Sequence, residues 1–489
     1  MACALLLASS VAAQDCADFV DIGSLTVFGS VRDISADGQV IVGAANFWPS
    51  PGGWRAFRWT SLSGLTDLGT LPGAVTSAAT AVSADGTTVV GVSDDARAFR
   101  WTAATGMQDL GSLGATAPWF IASAEAVSPD GSIVVGRSSD GNLIRPFIWT
   151  AATGMQPLPL PLPLAGHSGG AVGMSSNSGV VIMNLWSNGG PGGVSVPHAL
   201  LLHAVTGYTS LGSYNLVGIS ADGEVIVGTI PNAGGLGSTS HRWTSATGWV
   251  PLFGLPLSVG TEATDISADG RVIVGMSQSV IGGPVGGLIV TTAVRWTVEE
   301  GLGDLSLATG LDPWAIPRAV SGDGTHVAGE YFIPGPGNID GFRIRASSVG
   351  ETYCRPAAAN SGACAAVLLV DGDLSAAAGA LRLNAELLPL NTTGYFLASL
   401  SRGLATAPGG SQGNLCLGGA IGRFVGPGQV QSSGAAGRFS LVVDPASMPT
   451  PGGPVAAAAG ETWSFQAWYR DANPGPTSNF TDAVSVVLQ

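Results

Sequence analysis

This chain predicts an all-β fold: a seven-bladed β-propeller closed by its own N-terminal strand, followed by a β-sandwich. Three observations lead there. The phrase Ser-x-Asp-Gly, followed by an aliphatic run and Gly, occurs seven times, beginning at Ser35, Ser83, Ser128, Ser176, Ser220, Ser267 and Ser321, the fourth copy being the degraded Ser176-Asn177-Ser178-Gly179. A second phrase, Phe-Arg-Trp-Thr, returns within the repeats at Phe57, Phe99, Phe147, His241 and Val294, with weakened versions at Leu200 and Phe342. The last repeat stops one strand short, and an unpaired copy of the missing strand precedes the first repeat. A fixed period of about 47 residues marks a repeat architecture.

Each unit reads as two hairpins. In the second, Ala79 to Ser83 alternates up to the turn Asp85-Gly86, and Thr88 to Val92 continues beyond it. Ala98-Phe99-Arg100-Trp101-Thr102, a turn ending at Gly106, and Met107 to Leu113 form the second hairpin. Four short strands per unit, with no helical period competing, describe a propeller blade. A Trp repeated in register is expected to pack between blades.

The closure follows from where the array is cut. The seventh repeat ends at Phe342-Arg343-Ile344-Arg345, and Phe19-Val20-Asp21-Ile22-Gly23-Ser24-Leu25 matches its absent fourth strand. Laying that strand beside the incomplete sheet removes both exposed edges, whereas open solenoids end in atypical caps. With the Ala-rich strand innermost, the tight turns share one face and the loops of variable length share the other, where recognition belongs. That face would carry the candidate ligand-binding residues Trp48, Trp54, Trp119, Phe120, Trp186 and Trp314, whose rings suit stacking on a glycan or anchoring a protein partner.

Residues 1–13 read as a signal peptide, with Leu5-Leu6-Leu7 as apolar core and Val11-Ala12-Ala13 as a small-x-small cleavage site. The propeller then spans 14–345, a linker 346–352 and the sandwich 353–489. Candidate strands of the sandwich are 365–370, 380–388, 394–400, 415–424, 437–443, 462–469 and 483–488. Trp463, Phe465, Ala467 and Tyr469 would share one face, with Trp468 on the other, where it covers an edge or, alternatively, binds a ligand. Asn391 and Asn479 open Asn-x-Thr sequences and are read as turn residues.

Loss of Cys3 with the leader leaves Cys16, Cys354, Cys364 and Cys416, an even set that suits an oxidising compartment and fits no zinc spacing. The local pairing Cys354 with Cys364 is expected, leaving Cys416 with Cys16 or unpaired, and Cys354 with Cys416 is its rival.

Composition narrows the function. Of 489 residues only 11% are charged, all 19 basic ones are Arg, and the formal net charge is −14. The absence of Lys removes Schiff-base chemistry and a phosphate-loop lysine, and the acidic balance opposes nucleic acid and anionic lipid. No stretch beyond the leader is long and apolar enough to span a bilayer.

The Ala-Phe-Arg-Trp-Thr, Ser-Ala-Asp-Gly and Asp-Leu-Gly-Ser-Leu phrases of residues 19–345 resemble the HAF-type extracellular repeats of bacteria. The tail, from Tyr353-Cys354 through Leu415-Cys416 to Phe465-Gln466-Ala467-Trp468-Tyr469-Arg470-Asp471, looks like a module found at the ends of exported proteins of planctomycetes and myxobacteria. The resemblance implies export and a surface or extracellular role, and it carries no catalytic set.

Residues suited to chemistry are scattered. Gly166-His167-Ser168-Gly169-Gly170 fits the G-x-S-x-G elbow formally, but that turn needs a strand before it and a helix after it. His167, His198, His203, His241 and His326 lack metal spacing, and no cofactor or metal is implied. The sequence therefore points to a secreted, non-enzymatic binding or structural protein. The alternatives are a polysaccharide-active enzyme on the same scaffold, which would need two facing carboxylates from among Asp94, Asp95, Asp140, Asp312, Glu330 and Asp340, or a purely structural envelope component.

Overall fold

The computed structural model describes residues 19–488 apart from 26–28, 48–52, 95, 115–120, 177–178, 188–196, 233–236, 282–287, 298–300, 306–314, 333–338, 346–350, 355–356, 363–364, 373, 375, 377–380, 435–436 and 473–474. The fold is all-β and divides into two compact units that part after Ala346. The expected leader lies outside the described residues.

Seven four-stranded antiparallel sheets make up the first unit among the described residues. Their first strands are Ser30–Ile34, Ser77–Val82, Ala122–Val127, Ser168–Met174, Asn215–Ile219, Ser258–Ile266 and Ile316–Val320. Each lies against the first strand of the next sheet, and the seventh lies against the first, so the contacts run in a closed, propeller-like cycle. The apolar cores sit between sheets. Val42 and Leu68 of the first sheet pack with Val89 and Phe99 of the second, for example. Trp59, Trp101, Trp149, Trp243 and Trp296 each join a cluster with the preceding sheet, as their repetition in register predicts.

The two repeated phrases are partners across these junctions. The motif serine closes its own turn: Ser83 Oγ donates to Asp85 at 2.6 Å and accepts from the Thr88 amide at 2.9 Å. The following Gly86 has φ +70° and sits so close to the preceding sheet that a Cβ would lie 2.5 Å from Val40 Cγ2. Its carbonyl accepts from Arg58 Nε at 3.1 Å, just as Gly131 accepts from Arg100 at 3.0 Å. At the seam, Gly38 accepts from Arg343 Nη1 at 3.1 Å while packing on His326. The Gly of each aliphatic run has a different task. Gly91 lies opposite Phe99, and a Cβ there would meet the ring at 2.9 Å.

The fourth sheet corrects the expected register. Ser175, not Ser176, holds the motif position, because Ser175 Oγ accepts from the Val180 amide at 3.0 Å, five residues on as in the other copies. Ser176 then takes the place after the serine, where its amide bonds the Ala221 carbonyl of the next sheet at 3.0 Å. Ala36, Ala84, Pro129, Ser176, Ala221, Ala268 and Gly322 line one central cavity of about 220 Å³, one residue from each sheet.

The seventh sheet is completed by Phe19–Ser24, which pairs antiparallel with Ile339–Arg345. Ile22 and Leu25 join Val31, Ile41 and Trp59 of the first sheet and Ala319 and Ala328 of the seventh in one cluster.

In the second unit a sheet built on Thr393–Ser399, Thr462–Asp471 and Thr477–Val487 and a three-stranded sheet built on Val367–Gly372, Leu381–Glu386 and Phe439–Val443 share one apolar core. Trp463, Phe465, Ala467 and Tyr469 lie in that core, all at 1% exposure or less. Trp468, on the other face, packs on Tyr395 and under Arg470, which fits its role as a cover. Two expectations fail here. Glu351 and Thr352, assigned to the linker, already pair with Ser485 and Val484. Asn479 is a fully buried strand residue and no turn, its amide donating to Asp471 at 3.2 Å.

Cys354 bonds to Cys416 and not to Cys364, which lies outside the described residues. The strand that carries Tyr353 runs beside Cys416, and Tyr353 Oη donates to the Cys416 carbonyl at 3.1 Å, so the partner distant in sequence is the near one in space.

Two stability tests follow. Gly86→Ala should lower the melting temperature more than Gly64→Ala, since both sit at positive φ but only Gly86 lacks room. The common backbone cost is about 1–2 kcal/mol and overpacking adds about 1–3 kcal/mol; equal losses by thermal denaturation would refute the tight junction. Replacing both Cys354 and Cys416 by Ser should destabilise the second unit by about 2–4 kcal/mol in denaturant titrations.

Candidate functional site

The first strand of every sheet carries a β-bulge at one repeated position, occupied in turn by Arg32, Thr80, Glu125, Val172, Val217, Thr264 and Arg318. A bulge re-aims its side chain, and these positions are often put to functional use. Two of the seven form ion pairs with the residue after the Gly of the neighbouring strand, with the charges exchanged. In the seventh sheet Arg318 Nε donates to Glu330 Oε1 at 2.9 Å, and Glu330 Oε2 accepts from the Val31 amide at 3.2 Å. In the third sheet Glu125 Oε1 lies 3.2 Å from Arg137 Nε, but without hydrogen-bond geometry.

That third-sheet pair opens a cavity of about 380 Å³ walled by Gly170, Asn184, Trp186 and Pro197 of the fourth sheet and Asn215 of the fifth. Burial pushes the Glu125 carboxyl up, against the opposing charge of Arg137 and a hydrogen bond from Ser123. Both Glu125 Oε1 and Arg137 Nε are buried without a hydrogen-bond partner. Gly170 is required beside them, since a Cβ there would stand 2.7 Å from Arg137 Cβ. Asn184 is already engaged: its Nδ2 donates to Asn215 Oδ1 and the Leu216 carbonyl, both at 2.9 Å, and its Oδ1 accepts from the Leu216 amide at 2.8 Å. Asn184 therefore fixes the wall, leaving Glu125, Arg137 and the Trp186 ring to meet a ligand.

The fourth sheet, which supplies most of the wall, is where the repeat's packing rule is replaced. Met183 stands where the other sheets have Gly, opposite Leu200 in place of Phe or its counterpart. The two pack together in one buried cluster, so the larger residue on the second strand and the smaller one on the third exchange volume.

The structure separates the expected ligand residues. Trp186 lines the cavity. Trp54 begins the third strand of the first sheet, opposite Asn46 and 45% exposed, and is not part of that wall. Trp48, Trp119, Phe120 and Trp314 lie outside the described residues, as do Asp95 and Asp312. The acids that are described serve their own neighbourhoods. Asp94 accepts from the Val75 and Thr76 amides, each at 2.8 Å, and Asp140 accepts from the Leu143 amide and from Arg145 Nε, both at 2.9 Å. Ser168 of the elbow-like sequence begins a strand and is 6% exposed, so the strained strand–turn–helix that exposes a nucleophile is absent there. The residues missed in the sequence, Glu125 and Arg137, had a signal: at the second position the first and second repeats carry Ala44 and Val92.

Two carboxylates, Asp33 and Asp265, line the central cavity. Asp33 Oδ1 accepts from the Ile34 amide and Oδ2 from Val82 of the second sheet, each at 2.8 Å. Asp265 repeats this toward the seventh sheet, with Ile266 at 2.7 Å and Val320 at 2.8 Å. Every carboxylate oxygen thus holds a backbone amide, which makes the pair inter-sheet ties. Burial raises Asp33 to about 7, and burial together with the charge of Asp33 raises Asp265 to about 8.

Values above the ordinary 3.8 mean that protonation favours the folded chain. This contribution is whole below about pH 4 and is lost as the pH climbs through 7 and 8. The melting temperature should therefore fall between about pH 5 and pH 9, and Asp265→Asn should flatten that slope; a variant with the wild-type slope would show that the pair does not set it.

No family model matches the chain, and no curated protein matches it. Among solved structures, it is similar to an oligogalacturonate lyase in complex with manganese, with 13% identity over 69% of this chain and 94% of that one and a TM-score of 0.45. An oligogalacturonate lyase from Vibrio parahaemolyticus is 11% identical over 66% and 93% of the two chains, also with a TM-score of 0.45. The β-propeller domain of the trilobed protease from Pyrococcus furiosus is 9% identical over 62% and 91%, with a TM-score of 0.40.

Proposed function

We propose that this is an exported, non-enzymatic binding protein: a seven-bladed β-propeller of the HAF-repeat type, closed by its N-terminal strand, carrying a β-sandwich as an accessory module. Its ligand, a glycan or a polar segment of a protein, enters the cavity between the third, fourth and fifth sheets and lies against Trp186. One observation carries the reading: Glu125 and Arg137 face a preformed cavity with buried polar atoms that lack hydrogen-bond partners, next to an aromatic wall. The two charges face each other at 3.2 Å without hydrogen-bond geometry, so a ligand carrying both donor and acceptor groups would complete the bonding that the pair leaves unmade. Export is supported by the apolar leader sequence and by the disulfide between Cys354 and Cys416. A non-enzymatic role is favoured because Glu125 is the one acid among the described residues lining this cavity, while hydrolysis of a glycosidic bond calls for two.

A glycan array followed by titration of the strongest binder tests this. Trp186→Ala and Arg137→Met should each weaken binding about tenfold or more, while Trp54→Ala should leave it unchanged. Binding that survives both cavity variants would refute the assignment. Depolymerisation of the bound glycan, lost in Glu125→Gln, would instead establish the enzyme.

A further inference from the structure

The sheet that closes the cycle brings together two acids from opposite ends of the array. In the pairing of Phe19–Ser24 with Ile339–Arg345, Asp21 stands opposite Phe342 and Ser24 opposite Asp340, the register slipping once between Asp21 and Gly23. Asp340 and Phe342 are two residues apart and so share a face, and Asp21 joins them there. Tyr331, opposite Asp340 on the other neighbouring strand, lies on the same face and hydrogen-bonds with Asp21.

The two carboxylates are not equally provided for. Asp21 is exposed, and its Oδ1 accepts the Gly23 amide at 2.8 Å. Asp340 is only 8% exposed and accepts a hydrogen bond from Ser24, but its Oδ1 is buried without a partner. Burial and the charge of Asp21 both push the Asp340 carboxyl up, with no basic group among the described residues acting against them. A buried carboxylate without a counter-charge is costly, and a hard cation or a retained proton is the usual remedy.

We infer that Asp21 and Asp340 form a divalent-cation site, of the kind calcium occupies, across the seam between the N-terminal strand and the sheet it completes. Calcium takes six to eight oxygens, so backbone carbonyls and water would supply the rest, and two carboxylates place the affinity on the order of 0.1–1 mM. An ion held there links residues more than 300 positions apart in the chain and stabilises the closed state by mass action.

The full-length protein is melted at pH 7.5 with EDTA, with 10 mM calcium chloride or with 10 mM magnesium chloride, and in sodium chloride at matched ionic strength. Calcium should raise the melting temperature by about 2–4 °C over the sodium control, and Asp21→Asn and Asp340→Asn should each abolish that rise. Terbium luminescence sensitised by aromatic excitation gives a second readout that does not depend on unfolding: wild type should bind terbium in competition with calcium, and Asp21→Asn should not. A wild type whose melting and terbium emission ignore calcium overturns the site. So does a calcium response that both variants retain. No cation response, together with a rise in melting temperature on acidification that is smaller in Asp340→Asn than in the wild type, would show that Asp340 keeps a proton instead.

Discussion

The pairing of Phe19–Ser24 with Ile339–Arg345 is the constraint on which the rest of the first unit depends. Without it the seventh sheet would end in an unpaired edge, and Ile22 and Leu25 would leave the cluster that joins the seventh sheet to the first. Every other junction can be made by neighbours in sequence; this one joins the two ends of the array. The bond from Arg343 to Gly38 and that from the Val31 amide to Glu330 reinforce it with the same devices that tie the remaining sheets together.

Those devices show why the repeat takes the form it does. Serine, aspartate and glycine of the turn solve three separate problems: the hydroxyl and carboxylate satisfy the turn's own amides, and the glycine permits both the left-handed backbone and the approach of the neighbouring sheet. The arginine of the second phrase then bonds the carbonyl that this geometry exposes. The two partners stand 28 residues apart for Arg58 and Gly86 and 31 for Arg100 and Gly131, so substitution in one sheet is felt in the adjoining one.

Much of this was legible in the sequence because it is periodic. Strand number, the packing of the repeated Trp and the closing strand all follow from counting copies and noticing where the array is cut. The register of the fourth turn was not, since Ser175 and Ser176 fit the phrase equally well and only the bond to the Val180 amide decides between them. The disulfide was misjudged for a related reason: nearness in sequence favours Cys364, whereas the folded chain sets Cys416 beside Tyr353 and Cys354. The cavity was hidden because its wall comes from three sheets, and Glu125 and Arg137 read singly as ordinary strand charges. The aromatic residues were the plainer signal, and of the two that are described, Trp54 and Trp186, Trp186 lines the cavity.

The seam also dictates an order of events during synthesis. Sheets one to six can assemble from hairpins as each repeat emerges from the ribosome, because their strands are sequential neighbours. The six residues of Phe19–Ser24 are made before the sheets they close, waiting through some three hundred residues of translation for Ile339–Arg345 to appear. Contacts of such long sequence separation slow folding, so of all the strands in these seven sheets this one spends the longest time as an unclaimed edge, and mispairing threatens it most.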